Sequence, residues 1–222
     1  MNRQNAVGRM VLAVVLCFTM IWSGCSTSWI GEAEEIVSAL IPAAANLVAL
    51  VAALEGKGVS TADLQVIQNA GTQAGADLQL IQSLIAAYEK ADASAQPGLL
   101  NQIQSAIQAA QGNLQGLLPA LHIKDTATQT KITAVIGILL SEVQSLAAIV
   151  PLVNPNASPA AVSAARVAVR KSAPLRAEEF VKSYNATLTA KTGNAGLDKV
   201  TGGFQIHLHS KVERVASAGV LK

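Results

Sequence analysis

Four consecutive stretches of this chain carry apolar residues at alternating steps of three and four, each long enough to line one face of a helix. The first runs Val37, Leu40, Ala44, Leu47, Val51 and Leu54. The second runs Leu64, Ile67, Gly71, Ala74, Leu78, Ile81, Ile85 and Tyr88. The third gives Leu100, Ile103, Ile107, Ala110, Leu114 and Leu117, and the fourth Ile132, Ile136, Leu139, Val143, Leu146 and Val150. That alternation brings every one of these side chains onto a single seam per helix. A seam needs a partner to exclude water, so four in succession predict an antiparallel, up-down four-helix bundle over residues 25–150. The fold class is all-α.

Punctuation agrees with these bounds. Ser60 or Thr61 suits the N-cap of the second helix, and Asp63 in its first turn favours the positive end of the helix dipole. Pro97 fits the first turn of the third helix and Pro119 ends it, while Asp125 or Thr126 caps the fourth and Pro151 closes it. The joints near 55–60, 92–97 and 119–125 are short, which makes consecutive helices antiparallel neighbours. Aromatic residues are only 3% of the chain, so the core must be aliphatic. Ala, Leu and Gln, which dominate, lose little side-chain freedom in a helix.

Three local features carry functional alternatives. Gly71, Ala74 and Gly75 leave a smooth patch, read as a site of close helix approach or, as the rival, a dry cavity for an apolar ligand. Pro42 removes one backbone donor and predicts a bend in the first helix. Residues 36–54 carry no charge and residues 132–150 only Glu142. Both reach the ~20-residue length of a membrane span, so a membrane-inserting or pore-associated protein is a second rival.

The N-terminus has a separate logic. Arg3 and Arg9 form a positive head, residues 11–21 are an apolar run too short for a span, and Ser23 and Gly24 precede Cys25. This is the layout of a removable export signal. It resembles the lipobox signal of bacterial lipoproteins, with Trp22 departing from the aliphatic residue usual three before the cysteine. The resemblance covers only the processing segment and no family resemblance extends to the mature chain. It implies a signal peptide over 1–24, lipidation of Cys25 and, from Ser26, delivery to the periplasmic face of an outer membrane where the envelope has one. Two or more acyl chains anchor stably, at ~0.8 kcal/mol per buried methylene. Cys17 would leave with the signal and Cys25 would be acylated, so no thiol remains for a disulfide.

Charge divides the remainder. Residues 25–150 hold 4 basic and 10 acidic side chains, net −6, whereas residues 151–222 hold 10 basic and 4 acidic, net +6. The break falls at Pro151, Pro155 and Pro159. A helix follows from Ser158-Pro159 to about Ser172, pauses at Pro174, and resumes to Thr189 with Phe180, Val181, Tyr184 and Leu188 as its stripe. Gly193, Gly196, Gly202 and Gly203 mark turns, and residues 204–220 are read as a final helix. This basic helical region either packs on the acidic bundle of its own chain or turns Arg166, Arg170, Lys171, Arg176 and Lys182 toward an anionic partner. Anionic lipid, envelope polysaccharide and an acidic protein are the partner classes. Nucleic acid is not expected, for want of an aromatic platform.

Catalytic patterns are missing. The chain has no Glu-x-x-His pair for a di-metal bundle, no phosphate-cradling Gly-Lys loop and no Gly-x-Ser-x-Gly elbow. His122, His207 and His209 are read as surface histidines, not metal ligands, and no cofactor is expected. Glu32, Glu34 and Glu35 are read as favouring the N-terminus of the first helix. Terminal Lys222 resembles the lysine through which some lipoproteins join peptidoglycan, a match of one residue. The expectation is a non-catalytic envelope lipoprotein that binds or scaffolds.

Overall fold

The computed structural model describes residues 28–55, 59–120, 123–171 and 176–208. Seven helices make up the described chain: α1 (Ser28–Ala53), α2 (Thr61–Lys90), α3 (Gln96–Ala120), α4 (Thr126–Val153), α5 (Pro159–Lys171), α6 (Ala177–Thr189) and α7 (Ala195–Gly202). Each of the first four packs on the next, and α4 returns to α1 to close an up-down bundle. Every residue of the four predicted seams is buried, Gly71 included, whose place in the close packing is described below. Fully burying each Leu or Ile stabilises by roughly 1.5–3 kcal/mol, against the comparable entropy of ordering the chain.

The caps form where local chemistry requires them. The Ser60 hydroxyl accepts from the Asp63 amide at 3.1 Å, and the Asp125 carboxylate accepts from the Thr128 amide at 2.8 Å. Ser158 starts α5 in the same way, accepting from Ala161 N–H at 3.2 Å. Hydrogen bonds from the Thr128 hydroxyl and amide hold the Asp125 carboxyl below its ordinary pKa.

Five local expectations change, while α1 stays helical through Pro42. Helix α4 runs through Pro151 to Val153, because a proline near the C-terminal end sacrifices one bond without breaking the buried stripe. Helix α3 likewise continues one residue past Pro119. Helix α1 is continuous across Pro42, whose ring lies on the exposed side. It also begins at Ser28, so Glu32, Glu34 and Glu35 stand beyond its first turn. The glycine-marked turn region contains α7, capped by the Asn194 side chain on Gly196 and Leu197 amides, both at 3.1 Å. Residues 205–208 are not helical. Instead Asn185 of α6 clamps Ile206 through both amide groups, donating at 2.8 Å and accepting at 2.9 Å. Residues 209–220 of the expected last helix lie outside the described residues.

Helices α1 and α4 are long and apolar enough to cross a membrane, yet half of each span is buried inside the protein. The exposed strip of α4 carries Gln129, Thr130, Thr133, Ser141 and Gln144. That of α1 carries Glu32, Glu35, Pro42, Ala45 and Ala49. Their apolarity is accounted for by the number of neighbours each must meet, since α1 packs against α2, α4, α6 and α7.

Gly71 sets the distance between α1 and α2. A methyl group there would meet Val48 Cγ2 at 2.5 Å, whereas one on Gly75 would meet nothing within 4 Å. Val48 is stiff about its first side-chain torsion in a helix and has no easy retreat. Gly71→Ala should therefore destabilise despite its better helix propensity, overpacking costing about 1–3 kcal/mol against a gain of about 1. Gly75→Ala should stabilise by about 0.5–1 kcal/mol. Urea denaturation of the two variants reads this contrast, and equal signs would refute the close-approach role of Gly71.

Candidate functional site: the Lys131 clamp and the basic face

Helix α6 lies across the junction of α1 and α4, and a shared core joins Phe180, Tyr184 and Leu188 to the bundle seams. Phe180 and Tyr184 rings stack obliquely at 5.9 Å. The Tyr184 hydroxyl is fully buried and donates to the Ala43 carbonyl at 3.3 Å. Burial pushes its pKa well above the ordinary phenol value, so it remains a neutral donor. Asn46, also on α1, donates to the Phe204 carbonyl at 2.9 Å.

At the other end of α6 stands Lys131 of α4, only 5% exposed. Its ammonium donates to the carbonyls of Leu188 at 2.8 Å and Ala190 at 2.6 Å, and to the Thr201 hydroxyl at 3.0 Å. Thr201 passes its own proton to the Leu188 carbonyl at 2.8 Å. The last carbonyls of a helix have no intrahelical donor and carry the negative end of its dipole. Lys131 is thus the cap of α6, supplied from another helix. Asp198 of α7 lies 3.6 Å from the ammonium. Its carboxylate accepts from Thr192 hydroxyl and amide at 2.8 and 3.0 Å. These bonds, the Thr192 hydroxyl foremost, and then nearby Lys131 hold its pKa below the ordinary range.

A cleft of about 520 Å³ adjoins the clamp, lined by Thr126, Thr130, Thr187, Lys191, Thr192 and Lys131 itself. All three ammonium protons of Lys131 have protein acceptors, so the group holds α6 and α7 to α4. Sequence reasoning missed it. The available signal was its position three after Thr128 and four before Val135, on the buried face of α4.

The predicted anion-facing residues separate into two sets. Arg166 on α5, Arg176 at the N-cap of α6 and Lys182 on α6 are exposed. Arg170 and Lys171 fall on α5 with side chains outside the described residues, and Cys25 also lies outside them. The C-terminal region does pack on the bundle, but not through the expected sign of charge. Among the described residues the ion pair that crosses between them takes its cation from the acidic bundle and its anion from the basic region. Elsewhere Glu142 of α4 feels the charge of Glu179 on α6. Burial first, then the neighbouring carboxylate, raises the Glu142 pKa.

The other sequence candidates resolve differently. Ala74 is fully buried, and Gly71 and Gly75 line a solvent-open groove of about 370 Å³ between α1 and α2. The dry cavity of the rival reading is not found among the described residues. The enclosed space in the bundle lies instead between Trp29, Ile85, Ile103 and Ile149, with about 10 Å³, room for one water at most. His207 is exposed, and His122 and His209 lie outside the described residues. No cluster of metal-ligating side chains occurs among the described residues.

Lys131→Met should leave the Ala190 carbonyl without its donor and the Leu188 carbonyl with Thr201 alone, costing about 1–3 kcal/mol. Amide exchange over residues 185–206 should accelerate more than in α2 and α3; uniform acceleration would contradict a localised clamp. Glu142→Gln carries a pH signature. A raised folded pKa makes the protonated form the stabilised one, so the contribution of Glu142 is present below its unfolded pKa and lost as pH rises through the folded value. The variant should therefore melt higher than wild type at neutral pH and match it in acid. A thermal melt series across pH reads the crossover.

Comparison with protein-family models, curated proteins and solved structures found no match to this chain.

Proposed function

We propose that the chain is a membrane-anchored envelope lipoprotein with a non-catalytic binding or scaffolding role. Acylated Cys25 tethers the acidic bundle, and the basic C-terminal region contacts an anionic surface or partner. The observation that carries this reading is the exposure of Arg166, Arg176 and Lys182 on a region already docked by apolar contacts and by Lys131. Packing on the bundle does not neutralise that charge. The lipobox-like run ending at Cys25 supports the tether. Residues 151–222 are unsuitable for deletion, because Phe180, Tyr184 and Leu188 complete the core.

Charge substitution is the cleaner test. Arg166→Gln, Arg176→Gln and Lys182→Gln together should leave the melting temperature nearly unchanged, exposed positions usually moving stability by less than about 0.5 kcal/mol. Phosphatidylglycerol vesicles, an acidic polysaccharide and polyglutamate resin serve as probes. Wild type should bind at least one at low salt and release it at high salt, and the triple variant should not bind. Equal retention of both proteins rejects the basic face as the contact. Labelling with a fatty-acid analogue tests the tether, with Cys25→Ala expected to abolish incorporation.

A further inference from the structure

Resting on the tether just proposed, we infer that the protein stands end-on on its anchoring bilayer, with the α2–α3 and α4–α5 loops against the lipid headgroups. Helix α1 begins at Ser28, three chain steps after Cys25, and three residues span at most about 11 Å. The end of the bundle that holds Ser28 therefore stays close to the lipid. Its composition is defined by contacts. Trp29 of α1 meets Tyr88 of α2 edge to face at 5.4 Å, and Asn154 after α4 donates to Asn101 of α3 at 3.1 Å. The anchored end thus comprises the start of α1, the end of α2, the start of α3 and the end of α4.

Two postures satisfy so short a tether: end-on, or lying on the outer strip of α1. The strip carries exposed Glu32 and Glu35 within two turns of Ser28. Lying down would press both carboxylates onto headgroups and strip them of water, which is costly for an uncompensated charge. The end loops are different. Residues 91–95 and 154–158 comprise alanine, serine, asparagine and proline with Asp92 as their single charge. End-on contact leaves the glutamates projecting sideways into water.

The posture decides what the basic face can reach. The Tyr184 hydroxyl of α6 reaches the Ala43 carbonyl of α1, and the C-terminal end of α6 is capped by Lys131. Ala43 stands fifteen residues from Ser28 at the start of α1, about 22 Å along the helix at 1.5 Å per residue. Lys182, two residues before Tyr184, is held beyond the roughly 8 Å screening length of physiological salt. Helix α6 therefore addresses something other than the headgroups of the anchoring bilayer.

Depth quenching tests this on the full acylated protein in phosphatidylethanolamine and phosphatidylglycerol vesicles doped with a headgroup nitroxide lipid. Fluorophores are placed through Ser94→Cys on the anchored end, Ala45→Cys on the α1 strip and Lys124→Cys at the opposite end. Quenching should be several-fold stronger at 94 than at 45 or 124. A flexible ten-residue insert between Thr27 and Ser28 should reduce it. Quenching at 45 equal to that at 94 overturns the end-on posture while leaving the tether intact. An N-terminal peptide without acyl mass overturns tether and posture together.

Discussion

Three protons on the Lys131 ammonium meet two main-chain carbonyls and a hydroxyl that all belong to the last third of the chain. Taking an ammonium out of water is expensive unless each donor finds an acceptor. Here the acceptors include the carbonyls at the C-terminal end of α6, which have no intrahelical donor. Each side removes the other's desolvation penalty, and the pairing is geometrically selective in a way that apolar packing is not. Phe180, Tyr184 and Leu188 supply area; Lys131 specifies how far along α4 the helix comes to rest.

That arrangement explains the distribution of charge. A −6 bundle and a +6 tail invite the simple picture of ionic neutralisation across their contact. The contact is mainly apolar, its described ion pair runs the opposite way, and the charge of Glu179 opposes that of Glu142. Surface charge pairs contribute little to stability, so selection for folding alone has no strong hold on Arg166, Arg176 or Lys182. Their exposure is compatible with an outward role, and the apolar docking of α6 keeps them displayed on a fixed frame.

The same packing accounts for two helices whose composition suggests a membrane. α1 touches four other helices, so the half of it that they bury requires apolar side chains. Hydropathy reports only how much surface leaves water, not whether lipid or protein covers it. Gly71 shows the converse effect, where the absence of a side chain allows Val48 to seat and removes space that a ligand would need.

Local chemistry was legible before any tertiary structure. The seams, Ser60, Asp125 and Ser158 as caps, and Pro97 in a first turn all depend on residues within four positions, which is the range of a helical hydrogen bond. Pro151 and Pro119 misled as helix breakers, because a lost bond near an end is cheaper than interrupting a buried stripe. The α7 helix was hidden by glycines that otherwise signal turns. What the linear chain could not reveal lies at separations of 57 to 70 residues, between Lys131 and its acceptors. A lysine on a helix is ordinarily a solvated one, and only the arrival of α6 and α7 makes this one a buried cap. Composition and periodicity determined which faces must be covered; the folded chain decided that α6 covers the α1–α4 junction, because there an apolar stripe and a donor for its carbonyl end coincide.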